Sequence, residues 1–115
     1  MPDHFHLLLT LPAERSVEKS AQLIKGGFAS RSGRELGYSA PVWQKGFWEV
    51  RVNEREAFSK MREYIHSNPV RRFLATASAD YLYSSSRPDF ELDPPPQRLK
   101  ALAENAFFGI AKAMP

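Results

Sequence analysis

Residues 4–11 alternate strictly, with His4, His6, Leu8 and Thr10 on one side and Phe5, Leu7, Leu9 and Leu11 on the other. A period of two predicts a strand with one wholly apolar face and one face carrying two imidazoles. Pro12 ends it. Ser16 is a candidate N-cap with Glu18 in the first turn. Val17, Ala21, Ile24 and Phe28 then recur at helical spacing to about residue 36. Residues 37–41 read as a connector. Phe47, Glu49 and Arg51 alternate with Trp48, Val50 and Val52, which predicts a second strand. Asn53 with Glu56 resembles a capping box. The helix it opens carries Phe58, Met61 and Ile65 inward, with Tyr64 on the flank it shares with Ala57, Met61 and Asn68. Pro69 disfavours helical geometry at Asn68, so this helix is expected to end there. Residues 75–98, with three successive serines and three successive prolines, predict no regular element. A last helix is expected from about Gln97 to Lys112, with a stripe of Leu99, Leu102, Ala103, Ala106, Phe107 and Ile110. There is no internal repeat.

Composition narrows the class. At 115 residues with 43% apolar content, the chain is one small domain with a modest core. It has no cysteine, which excludes disulfides and thiolate metal sites and fits a reducing cytoplasm. No stretch approaches the roughly 20 apolar residues of a membrane span. The apolar run near the N-terminus is short and lacks a cationic start, unlike a signal peptide. The overall charge is +3, but residues 15–72 alone hold twelve Lys or Arg against six Asp or Glu. A basic middle of this kind is where a phosphate backbone would lie, although scattered solvated cations look the same in sequence.

Two short strings carry candidate chemistry. His4 and His6, one residue apart on a strand, point the same way and can reach one divalent ion. Tyr64 and Asn68, four apart on a helix, also share a face and would bring a phenol beside an oxygen ligand. Together they are what covalent phosphotyrosine chemistry on DNA requires. Each string alone has a plainer reading: two polar strand residues, a core-edge tyrosine, an ordinary helix stop. His66 lies about 200° round the helix from Tyr64 at 100° per residue, so it is taken as structural or as a DNA contact. Trp43 fits either a DNA-touching loop or a core anchor. Gly26-Gly27, which weakens the first helix by about 1 kcal/mol per glycine, fits either close approach of another backbone or DNA, or a simple break.

Four strings resemble, in order and spacing, the signatures of one family: residues 1–9 around His4-Phe5-His6, Val42-Trp43-Gln44-Lys45-Gly46-Phe47, Tyr64 to Val70, and Asp80-Tyr81-Leu82-Tyr83-Ser84-Ser85. The family is the REP-associated tyrosine transposases, a branch of the HUH single-tyrosine transposases, and the resemblance runs from residue 1 to about residue 86. It implies an α+β fold, an antiparallel sheet with helices packed on it, like the ferredoxin and RRM folds. It also implies Tyr64 as nucleophile, with His4, His6 and Asn68 holding Mg2+ or Mn2+. Asp3 is a candidate partner for a histidine N–H. The implied substrate is single-stranded DNA with hairpins, and Lys19, Lys25, Arg31, Arg34, Gln44 and Lys45 are candidate DNA contacts.

Family domains normally begin with a strand and helix ahead of the His-x-His strand, so the chain reads as N-terminally truncated. Residues 1–86 are then a partial catalytic domain, 87–96 a proline-rich linker and 97–115 a C-terminal helix. A strand at the terminus with unpaired edges leads to the expectation of a homodimer. The expected location is cytoplasmic and nucleoid-associated. Two other readings stay open: an inactive, domesticated transposase that binds DNA without cutting it, and a small RRM-like nucleic-acid-binding module.

Overall fold

The computed structural model describes residues 1–52 and 54–93, together with the backbone of 106–112. The fold is mixed α/β with two helices and short strands. In chain order these are β1 (His4–Thr10), α1 (Val17–Leu36), β2 (Trp48–Arg51), α2 (Arg55–Arg71) and β3 (Ala106–Lys112), with one 3-10 turn at Ser78–Asp80.

The strands form one antiparallel sheet in the order β1-β3-β2. β3 pairs along all of β1, from His4 opposite Lys112 to Thr10 opposite Ala106. Its other edge takes β2, with Trp48 opposite Ile110 and Arg51 opposite Phe107. This corrects the expectation of a C-terminal helix. Residues 106–112 are a strand, and 97–105 lie outside the described residues. The apolar stripe fits a helical period, but Phe107, Phe108 and Ile110 are equally strand formers, and Gly109 weakens a helix. Long-range pairing decides between them: β1 and β2 are not neighbours, and the segment between them takes up backbone N–H and C=O groups from both. β3 thus takes one edge of β1 and one of β2, which leaves these two as the outer strands of the described sheet. The linker expected over 87–96 is described only as far as Asp93.

The helices begin and end for local reasons. Ser16 caps α1, its Oγ accepting the Lys19 N–H at 3.1 Å. Gly37 closes it at φ 66°, its N–H donating to the Gly33 carbonyl. α1 passes through Gly26-Gly27 unbroken, and among the described residues nothing beyond the helix's own local backbone lies within 4 Å of where either Cβ would stand.

α2 packs across the histidine face of β1. Val52, 1% exposed, is surrounded by Leu8 of β1 and by Ala57, Phe58, Met61 and Ile65 of α2. The opposite face turns to α1: Phe5 meets the Trp43 ring edge-on at 5.1 Å, and Trp43 meets Phe28 at 5.5 Å. The Trp43 indole N–H donates to the Lys25 carbonyl at 3.0 Å, which makes Trp43 an anchor joining β1, α1 and its own loop.

A second correction concerns the end of α2. The helix does not stop before Pro69 but runs through it to Arg71, with Asn68 and Pro69 both buried. The bond lost for want of a Pro69 N–H falls in the last turn. There, Arg72 donates back to the Asn68 carbonyl and Leu74 to that of Pro69. Tyr64 and Asn68 consequently share a face of intact helix.

Candidate functional site

Side-chain alternation on β1 and the four-residue repeat of α2 bring four residues to one place. His4 Nε2 lies 3.1 Å from His6 Nε2, and His6 Nε2 lies 3.1 Å from the Asn68 amide nitrogen. The Tyr64 ring stands edge-on to His6 with centroids 5.5 Å apart. Asn68 is only 4% exposed, whereas Tyr64 is 39% exposed and faces solvent beside the cluster. Asp3 completes the group, its Oδ1 2.6 Å from His4 Nδ1. A proton on His4 Nδ1 directed at Asp3 leaves the Nε2 lone pair aimed at the cluster.

Electrostatics agree with that arrangement. Burial, together with the neighbouring His4, the N-terminal amine and Arg72, pushes His6 down to about 4, so its imidazole is neutral at physiological pH. Its hydrogen bond to His4 holds the Asp3 carboxyl below the usual carboxylate range. A neutral imidazole is the form that ligates a metal.

The cluster fits a divalent ion by its donor set. Two nitrogens 3.1 Å apart match adjacent corners of an octahedron with metal–ligand distances of about 2.1 Å. The Asn68 amide oxygen and nitrogen exchange places by a half-turn of the side chain, so the oxygen can face the same point. Among the described residues no group of three or more His, Cys, Asp or Glu could hold a metal. A metal held here would have only two histidines and an amide as protein ligands.

The candidate DNA contacts divide. On α1, Lys19, Arg34 and Arg31 fall within an arc of about 120° at 100° per residue, with Lys25 on the other side. Lys19 and Arg34 are exposed, and Arg31 pairs with Glu35 at 2.7 Å. Lys25 is engaged inside the protein: its Nζ donates to the carbonyls of Gln44 at 2.8 Å and Gly46 at 2.7 Å. Gln44 and Lys45 are exposed at the tip of the loop so held. His66 points away from the cluster, with its Nε2 3.0 Å from Ser85 Oγ. Ser84, Ser86 and the Ser78 carbonyl brace the same segment.

Sequence reasoning missed Arg71. Its guanidinium lies over the Tyr64 ring, 5.5 Å from the centroid. Tyr64, Asn68 and Arg71 are spaced i, i+4, i+7, a signal that an expected helix end at Asn68 concealed.

The chain belongs to the IS200-like transposase family, whose match covers residues 1–68 and so takes in both histidines, Tyr64 and Asn68. Within that class it is similar to a protein of Haemophilus influenzae named as a REP-associated tyrosine transposase, at 27% identity over 107 residues. That match takes in 84% of this chain but 61% of the relative, so the chain spans about three-fifths of the relative's length. No solved structure matches it significantly. Among the described residues no helix is long and apolar enough to cross a membrane.

Proposed function

We propose that this chain cuts and rejoins single-stranded DNA through a covalent link to Tyr64. The observation that carries the proposal is the convergence of His4, His6 and Asn68 within 3.1 Å steps beside the Tyr64 ring. Neutral phenols are weak nucleophiles, and a polarised phosphate makes the better target for one. His4, His6 and Asn68 would hold Mg2+ or Mn2+, and Asp3 would orient His4. When bound, such an ion supplies Lewis-acid polarisation of a phosphate oxygen.

In the forward step the Tyr64 hydroxyl loses its proton and its oxygen bonds to phosphorus. The bond from phosphorus to the 3′ oxygen breaks, and that oxygen leaves as a 3′-hydroxyl after taking a proton. The 5′ phosphate stays on Tyr64 as a diester. A 3′-hydroxyl attacking that phosphorus releases the phenol and restores the strand without an external energy source. Hairpins of repeated palindromic elements are the proposed substrate, since the H. influenzae relative carries the REP-associated name. Lys19, Arg34, Gln44 and Lys45 are the proposed backbone contacts. A homodimer is part of the proposal, since β1 and β2 are the outer strands of the described sheet and each presents an edge to a second copy.

The test is incubation with a hairpin-bearing single strand and manganese, followed by denaturing electrophoresis. A protein–DNA adduct that survives denaturation is expected from the wild type and not from Tyr64→Phe. Equal adduct from both would reject Tyr64 as nucleophile.

A further inference from the structure

Beyond Arg71 the chain does something physically costly. Phe73 has φ 58°, which makes it the one non-glycine residue with positive φ among those described. Its N–H donates to the Val70 carbonyl at 3.0 Å and that of Leu74 to the Pro69 carbonyl at 2.8 Å. Those two bonds define a Schellman closure with Phe73 at the C′ position, where glycine is the usual occupant because a side chain there crowds the backbone. The side chain so displayed is 95% exposed. Helix closure accounts for the left-handed φ, but not for a phenylalanine where glycine would be unstrained.

Its surroundings state what the ring faces. Arg71 and Arg72 immediately precede it and are exposed. Arg71 already covers the Tyr64 ring. Next to the ring is an open concavity of about 490 Å³, lined by Val70, Phe73, Leu74, Ala75 and Thr76. Arg71, the last residue of α2, stands about 10 Å of helical rise beyond Tyr64, and Phe73 follows two residues later. One end of α2 thus offers two cations and then a bare aromatic face beside a hollow.

We propose that Phe73 and this hollow form a base-binding subsite, in which the ring stacks on an unpaired base near the phosphate that reaches Tyr64. Arg71 and Arg72 would neutralise the intervening backbone. Aromatic stacking with flanking cations is how single strands are held without regard to sequence, because every base has a π face. The inference rests on the single-strand reading of the chain and adds to it a place for one nucleotide.

Three variants test it: Phe73→Gly, Phe73→Leu and Phe73→Trp. Affinity for a labelled oligothymidylate would be measured by anisotropy in chelator, so that the result does not depend on metal or cleavage. Gly removes the ring and relieves the strained φ. It should weaken binding by about 5- to 150-fold while thermal stability holds or rises. Leu keeps an apolar side chain without a π face and should weaken binding comparably, whereas Trp should bind at least as tightly as Phe. Wild-type affinity in the Gly or Leu variant would overturn the subsite. A change in oligomeric state with unchanged DNA affinity would overturn it too, marking a protein-docking residue instead. If the wild type forms the Tyr64 adduct and the Phe73 variants bind normally, only this subsite fails. If the wild type binds no single strand at all, the subsite and the transposase reading fail together.

Discussion

Lys25→Met separates two roles for a lysine that sequence alone assigns to DNA. Its ammonium donates to the carbonyls of Gln44 and Gly46 at 2.8 and 2.7 Å, and its own carbonyl receives the Trp43 indole N–H. Methionine keeps most of the apolar stem and deletes only the donors. Hydrogen bonds from charged groups are worth about 1.5–3 kcal/mol each, and half-exposure brings these two to the lower end or below it. We expect the substitution to cost about 2 kcal/mol in all, read as a lower urea midpoint at unchanged slope. DNA affinity should fall as the loop bearing Gln44 and Lys45 loosens. The dependence of log affinity on log salt should keep its slope, because no phosphate contact has been removed. A lysine that touches phosphate would behave oppositely, leaving stability intact and reducing the slope by about 0.7 for a single strand. That second pattern would refute the loop-clamp account.

Two other perturbations probe the cluster and its support. His4→Ala and His6→Ala should each abolish high-affinity manganese binding, seen by calorimetry, since each removes one of two nitrogens 3.1 Å apart; wild-type titrations from both would make the pair structural. His66 is held below its ordinary pKa by burial and secondarily by Arg62, so the fold favours its neutral form. Its contribution is present above pH ~6.5 and is lost as pH falls through the lowered folded value. His66→Gln, which can still bond Ser85, should therefore flatten the acid side of the stability–pH curve, and parallel curves for the two proteins would refute this.

Much of the site was legible because it depends on local periods. Alternation on residues 4–11 placed both histidines on one face, and a four-residue step placed Asn68 with Tyr64; neither needs knowledge of the rest of the chain. Ser16 as cap and Phe58, Met61 and Ile65 as inward residues follow from equally local patterns. One miss is local: the capping box expected from Asn53 and Glu56 gives way to Glu54 as N-cap, with no side-chain cap bond. In the others a distant partner decides. Residues 106–112 satisfy a helical template as well as a strand template, and only two strands in need of a partner choose between them. Pro69 argues against helix at Asn68, yet burial of Asn68 against His6 holds the turn together. Lys25 on α1 and Trp43 together tie the loop that carries Gln44 and Gly46 to the helix across eighteen residues or more, which no local pattern announces.

The most direct test of the central claim is to find where DNA becomes attached. An adduct formed with a hairpin substrate and manganese would be digested with trypsin and nuclease and sequenced by mass spectrometry. Cleavage after Arg62 and Arg71 isolates Tyr64 on the peptide spanning residues 63–71. We predict that the nucleotide mass is on Tyr64 within that peptide, linked through a 5′ phosphate. Attachment at Tyr38, Tyr81 or Tyr83 instead, or an unmodified 63–71 peptide from purified adduct, would contradict the account.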